Sequence, residues 1–482
     1  MAAEDACVQT ITYVPGYPVT EMAEALGAEI SVNEKVALEI ALGSSATGRR
    51  SMVLVKQLGM NLLADPLVIS ATHTIGSGIV VLAGDDLGPR GSQAQMDSRY
   101  FGLISDLPVM DPADPSALYH SILEAYVLSE KIKAPVIVRA TSRLFEISGS
   151  SPERRALPPH GIKFDRSIWD LTALGRGQRY QDEAFPLAED ASEVTSLNSL
   201  RISGKIGIIA SGCPARLAEN LDASLLVVGY AYPLPWRLIK NFLHLHDRVI
   251  IAEEPGPFLE RQLRAIEKVF GRLTGHLPMG PLDIQDLQRA LNMDLGMNKA
   301  SAPKHGKDYE RSANKGHKSI CDDCPFSSLY KALGKIGAIV TGDAGCSIRA
   351  VREPYSSVDL VYGLGSPPSV ASGLAGDGRG KGIAVVGDYG FAHSGLQGLI
   401  NAVWKRRDIL MVLIQNGVAA QTGGQEVPDL TKVLEALVPV RFLNFPEGEK
   451  DMKNVEKALK DVMAIKGSSA IVARGKCPRS RY

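Results

Sequence analysis

Apolar and polar positions along this chain alternate in two modes. Short runs are apolar at almost every position, and longer stretches bring apolar residues back every three or four. Over residues 1–148 the runs at 51–55, 78–83 and 135–139 are rich in Val and Ile, which suits strands buried on both faces of a parallel sheet. Residues 115–133 carry Leu118, Ile122, Ala125 and Tyr126 at helical spacing. This alternation predicts βαβ units. Residues 149–198 are polar, with Pro152, Pro158 and Pro159, and predict a connection. Runs at 206–210, 225–228 and 248–252 predict a second α/β region, followed by an amphipathic helix over 258–270. Residues 292–318 are rich in Lys, Gly, Asn and Ser and poor in large apolar side chains, so a mobile linker is expected there. Strands are expected again at 336–341, 383–386, 409–414 and 469–473. The expected fold class is α/β, as three doubly wound domains over 1–148, 199–291 and 319–482.

Composition adds exclusions. The 482 residues carry 53 basic and 53 acidic side chains. That balance gives no electrostatic footprint for nucleic acid or an anionic membrane. The first residues show no basic segment leading into an apolar one, so no secretory leader is expected. No apolar run approaches the ~20 residues of a membrane span. Six cysteines in such a length do not form a disulfide scaffold; they suit a reducing cytoplasm, where thiols serve as ligands or catalysts.

Two groups of residues suggest chemistry. The strand predicted at 383–386 runs directly into Gly387-Asp388-Tyr389-Gly390, and a helix pattern follows with Leu396, Leu399, Ile400, Val403 and Trp404. Asp388 is thereby placed at the carboxyl end of a parallel strand, where open α/β sheets bind ligands. The strand at 409–414 delivers Asn416 to the same edge. A carboxylate and an amide oxygen from adjacent strand ends can hold Mg²⁺ together with diphosphate oxygens, and the glycines permit close backbone approach. Gly-Asp at a strand end is also an ordinary turn. The second group is sulfur. Cys321 and Cys324 lie in Cys-Asp-Asp-Cys-Pro, Cys346 in Gly-Asp-Ala-Gly-Cys-Ser and Cys477 in Gly-Lys-Cys-Pro. Such thiols suggest a metal cluster and electron transfer. They equally suit buried structural thiols, a redox pair or half a zinc site. Gly363-Leu-Gly365-Ser-Pro-Pro lacks the third glycine of a dinucleotide loop.

The stretch 387–423, with Phe391-Ala-His393-Ser-Gly395 and Leu399-Ile-Asn-Ala402 inside it, resembles the alpha subunit of indolepyruvate ferredoxin oxidoreductase. Gly387-Asp388 followed by Asn416 resembles the thiamine diphosphate motif of that superfamily. The resemblance extends to Gly16-Tyr17-Pro18, to Ser31-Val-Asn-Glu34 through Glu39, to Asn61 through Asp65-Pro66, and to Ser92-Gln93 through Asp97 and Arg99. Tyr232-Pro-Leu-Pro235 and Glu253-Glu254-Pro255 are similar to its middle, transketolase-C-like domain.

The resemblance implies two thiamine diphosphate-binding folds, one pyrimidine-binding over 1–148 and one diphosphate-binding over 319–482, around a transketolase-C-like domain. It implies Mg²⁺ on Asp388, Asn416 and the carbonyl of Val418. Gly16, Tyr17, Pro18, Asn61 and 387–390 would contact the cofactor. Glu34 would act on the aminopyrimidine ring so that the C2 proton leaves; the local alternative is a Ser31-x-x-Glu34 capping box. Cys321, Cys324, Cys346 and Cys477 match the order of the superfamily's [4Fe–4S] ligands, and four thiolates also suit zinc. Cys7 and Cys213 fall outside that order. The implied reaction is oxidative decarboxylation of a 2-oxoacid, such as an aryl pyruvate, to acyl-coenzyme A with electrons passed to ferredoxin. The implied partner is a smaller beta/gamma-type subunit, in a hetero-oligomer with two copies of each chain. Related alpha subunits are expected to continue beyond the point matching Cys477 into a ferredoxin-like domain, so onward carriers would come from another subunit or from ferredoxin. Histidines expected near Gln57, Arg90 and Gly424 are absent, while His393 remains as a candidate catalytic residue. A non-oxidative thiamine decarboxylase or carboligase, and an inactive scaffold paralogue, are the competing readings.

Overall fold

The computed structural model describes all residues except 89–91, 148–151, 160, 164, 294–319, 376–379, 446–451 and 479–482. Two compact units divide the chain, Met1–Arg311 and Ser312–Tyr482. The expected α/β class holds in both. The linker expected over 292–318 lies outside the described residues from 294 onward.

The first unit holds two sheets. The larger runs in the order Tyr230–Tyr232, Val109–Met110, Val136–Thr141, Ile79–Asp85, Ser51–Lys56, Thr10–Tyr13 and Glu29–Ile30. All neighbours pair parallel except Tyr230–Tyr232, which is antiparallel to Val109–Met110. Its central strands are buried at nearly every position, as helix-covered parallel strands must be. The smaller sheet has the order Val269–Phe270, Arg248–Ala252, Ile206–Ala210, Ser224–Val227 and Ser199–Arg201, antiparallel only at the last pair.

A buried ionic lattice joins these two sheets. Arg139 donates to Asp85 (2.7 Å), to Asp111 (3.1 Å) and to the Glu254 carbonyl (2.9 Å). Arg99 donates to Asp97 (2.6 Å) and Glu253 (2.8 Å). Burial pushes the carboxyls of Asp85, Glu253 and Glu254 up, and the arginines oppose that. The two arginines hold Asp97 below its ordinary value against burial. These residues include Asp97, Arg99 and Glu253-Glu254 of the resemblance, and in this fold they hold the unit together.

The second unit is built on one parallel sheet in the order Leu360–Val361, Val340–Gly342, Gly382–Gly387, Ile409–Gln415, Ser469–Arg474 and Val440–Asn444. Apolar clusters cover both of its faces, one around Leu329, Val385 and Leu459, the other around Ala384, Leu399 and Val472.

Three expectations are corrected. The helix read over 258–270 ends at Leu263, and Val269–Phe270 is an edge strand. The connection read over 149–198 contains helices Arg166–Trp169, Ala173–Arg179 and Phe185–Val194 with a π-helical turn Tyr180–Ala184. The strand read at 336–341 is Val340–Gly342.

Candidate cofactor crevice and thiol cavity

In the second unit, strand Val340–Gly342 is followed in sequence by its neighbour on one side, Leu360–Val361, and then by its neighbour on the other, Gly382–Gly387. The carboxyl ends of Val340–Gly342 and Gly382–Gly387 therefore flank a topological switch point, the place where open α/β sheets bind ligands. Each strand ends in Gly-Asp. Asp388 is buried and accepts from the amides of Tyr389 (2.9 Å), Asn416 (3.0 Å) and Gly417 (2.6 Å). The Asn416 side-chain oxygen accepts from the Val418 amide at 3.0 Å. Asp388 and Asn416 are thus brought together, as expected from strand order. Burial pushes the Asp388 carboxyl up to about 6, against the pull of its amide donors. A divalent cation would offset that cost. One carboxylate, one amide oxygen and one carbonyl, all hard donors, fit Mg²⁺.

His393 lies in a π-helical turn, Phe391–Gly395, that interrupts the helix after Asp388. Such turns recur at functional sites. The ring is buried, and its Nδ1 lies 3.3 Å from Ser394 Oγ.

The first unit brings Glu34 to the carboxyl edge of its larger sheet. Glu34 is the first residue of helix Glu34–Ala46, but the cap is Asn33, whose side chain accepts from Val36 N at 2.9 Å. The capping box with Ser31 does not form. Ser31 instead continues the edge of the sheet, its amide donating to Tyr13 O at 2.8 Å. Glu34 is buried, and a Cβ at Gly59 would lie 2.4 Å from its Oε1. Lys56 lies nearby. Burial pulls its amine down while Asp86 and Glu34 push it up, and its stem covers Gly16, where a Cβ would stand 3.0 Å from that of Lys56. Asn61 donates to Leu58 O (3.1 Å), and Tyr17 is exposed. Gln57, in a segment where a histidine was expected, donates its side-chain amide to Ser92 Oγ (3.2 Å), which donates to Asp86 (2.7 Å). Arg90 lies outside the described residues. Gly424, in the third such segment, takes φ +82°, a backbone that favours glycine.

Cys321, Cys324, Cys346 and Cys477 line one cavity in the second unit, walled by Ile320, Phe326, Tyr330 and Ile414. Asn416 lines the same cavity. Burial, with neighbouring sulfurs adding, pushes the Cys324 thiol up to about 12, and Cys346 is also pushed up by burial. Among the described residues no group of three or more His, Cys, Asp or Glu side chains is arranged to hold a metal ion. Four thiols with no other ligand type, set around an enclosed apolar space, fit an iron–sulfur cluster, which brings its own volume. Cys213 belongs to the first unit and is buried, its thiol pushed up to about 11 by burial. On another side of Asn416 a cleft of about 890 Å³ opens over the ends of strands Ile409–Gln415 and Ser469–Arg474, lined by Glu426, Asn444, Arg474 and Lys476.

Asp343 was missed as a site residue. It is buried and takes amides from Ala344 (2.9 Å), Gly365 (2.8 Å) and Gly387 (3.2 Å). Burial pushes its carboxyl up to about 6. The signal was present in sequence as a second Gly-Asp after a strand, 45 residues before the first one noticed.

Fold and crevice are those of an α/β chain with a ligand site at a switch point of its C-terminal sheet. Residues 343–473 match the family model "Thiamine pyrophosphate enzyme, C-terminal TPP binding domain". The chain is 29% identical over 481 residues to the indolepyruvate oxidoreductase subunit IorA of Archaeoglobus fulgidus, covering 88% of this chain and 74% of that one. The same subunit of Thermococcus kodakarensis is 26% identical over 549 residues, covering 98% and 84%. A solved 2-oxoglutarate:ferredoxin oxidoreductase from Magnetococcus marinus aligns at 14% identity over 60% of this chain and 62% of that one, with a TM-score of 0.44. The resemblance read from sequence is borne out. The chain is related to these subunits over most of its length and is an oxidoreductase chain.

Proposed function

We propose that this chain is the thiamine diphosphate-binding subunit of a 2-oxoacid:ferredoxin oxidoreductase. The reaction converts a 2-oxoacid anion, coenzyme A and two oxidised ferredoxins to an acyl-coenzyme A, CO2, two reduced ferredoxins and a proton. An aryl pyruvate such as indolepyruvate is the substrate class that the relatives' name favours. The three-domain division 1–148, 199–291 and 319–482, a smaller partner subunit in two-plus-two assembly and a cytoplasmic site of action belong to the same reading. Among the described residues no helix is long and apolar enough to cross a membrane.

Thiamine diphosphate, when bound, supplies the electron sink for decarboxylation. The chain's own residues do the rest. Asp388, the Asn416 amide oxygen and the Val418 carbonyl hold Mg²⁺, and the Gly387–Gly390 turn lets the backbone approach the diphosphate. Gly16, Tyr17, Pro18 and Asn61 line the pyrimidine side. Glu34 holds the proton that the aminopyrimidine exchanges. His393 orients the substrate end of the crevice. Cys321, Cys324, Cys346 and Cys477 hold a [4Fe–4S] cluster.

The observation that carries this reading is Asn416. Its backbone amide donates to Asp388, and the same residue lines the four-thiol cavity. A diphosphate metal and an electron acceptor would then share one strand end.

The test is anaerobic purification with iron, sulfide and zinc analysis, beside calorimetry with thiamine diphosphate and Mg²⁺. Wild type should carry about four irons. Cys477→Ser should lose most of them and keep cofactor binding, and Cys213→Ser should change neither. Asp388→Ala should abolish Mg²⁺-dependent binding. Zinc without iron would return the chain to the non-oxidative lyase reading.

A further inference from the structure

Asp343 has no place in the proposed chemistry, yet its surroundings are unusually specific. It stands at the end of strand Val340–Gly342 on the switch point, three residues before Cys346. Its Oδ1 accepts from Ala344 N at 2.9 Å, inside the turn that leads to Cys346, and from Gly365 N at 2.8 Å. Its Oδ2 accepts from Gly387 N at 3.2 Å, the residue before Asp388. The same oxygen fills the space of a missing side chain, since a Cβ on Gly390 would lie 1.9 Å from it. One oxygen therefore serves the thiol turn and the Gly365 turn, and the other serves the diphosphate turn. A buried carboxylate is a costly way to join loops unless their relative placement matters.

We propose that Asp343 is a positioning residue that sets the Gly387–Gly390 turn for the diphosphate against the turn carrying Cys346, its two oxygens dividing that work. The inference rests on the function proposed above.

The division of labour makes an isosteric test selective. In Asp343→Asn the amide oxygen can keep the two donors on the Oδ1 side. Its NH2 must then face Gly387 N–H, donor against donor. The Cys346 turn is retained and the diphosphate turn is released. The experiment uses the full chain, purified anaerobically, with iron and sulfide analysis, thermal melting, and calorimetry with thiamine diphosphate and Mg²⁺. Asp343→Asn should keep wild-type iron content and weaken diphosphate binding at least tenfold. Asp343→Ala, lacking both oxygens, should lose both. Gly390→Ala keeps the carboxylate but presses on it, hardest at Oδ2 (1.9 Å) and least at Oδ1 (3.1 Å), so it should repeat the split if Asp343→Asn fails to fold. Asp343→Asn or Gly390→Ala with wild-type cofactor affinity overturns the proposal. So does loss of iron in step with loss of cofactor affinity, which would mark general destabilisation. A wild-type chain that binds no thiamine diphosphate overturns the function above along with it, whereas unaffected variants of a binding wild type overturn this inference alone.

Discussion

Glu34 is not the cap of its helix, and that separates its two possible duties. Asn33 accepts from Val36 N, so Glu34→Gln should leave the melting temperature within about a degree and the cofactor affinity nearly unchanged. C2 exchange should slow by at least about a hundredfold, the lower range for a positioned acid–base group. Deuterium exchange at C2 followed by NMR checks this; exchange at the wild-type rate would remove Glu34 from the chemistry. The sequence could place Glu34 at a helix start but not choose the cap. Ser31-x-x-Glu34 and Asn33-x-x-Val36 both have cap spacing, and only the path out of strand Glu29–Ile30 decides between them. Asp388 and Asn416 were legible because long apolar strands deliver them to one edge. Asp343 carries the same signal, a Gly-Asp after an expected strand, but it was read only as part of the turn leading to Cys346.

Among elements, legibility followed length and burial. The long central strands of both parallel sheets announce themselves as unbroken apolar runs. Two-residue edge strands such as Glu29–Ile30 and Leu360–Val361 have no period to detect. The helix read over 258–270 overran because Leu259, Leu263 and Ile266 keep helical spacing after the helix has ended. The contact between helix Glu34–Ala46 and the start of helix Met60–His73 depends on Gly59, beside which the Glu34 side chain lies. In Gly59→Ala the new methyl must displace that carboxylate. Overpacking of this kind costs about 1–3 kcal/mol. The variant should melt several degrees lower and exchange C2 slowly although Glu34 is present. Normal exchange in a destabilised variant would mean that the carboxylate's position is not critical.

In the molecule as a whole, the ionic lattice of the first unit was the least legible feature. Arg139 and Glu254 are 115 residues apart, and Arg99 and Glu253 are 154 apart. No local pattern joins them. Removing one member of a buried ionic set strands its partners and typically costs 3–5 kcal/mol. Arg139→Met should therefore lower the thermal transition of the first unit sharply, with Asp85 and Asp111 left buried; calorimetric melting checks it, and an unchanged transition would make the lattice energetically idle. The second unit carries a consequence of another kind. Strand Ser469–Arg474 is late in the sequence but lies between Ile409–Gln415 and Val440–Asn444 in the sheet. Cys477 follows it by three residues, and 131 residues after Cys346. During synthesis the sheet therefore has a gap until its last strand emerges, roughly ten seconds after Cys346 at typical elongation rates. Three thiols wait through that interval around an unfinished hollow, so the proposed cluster would gain its fourth ligand only after translation of this unit and could not guide its folding.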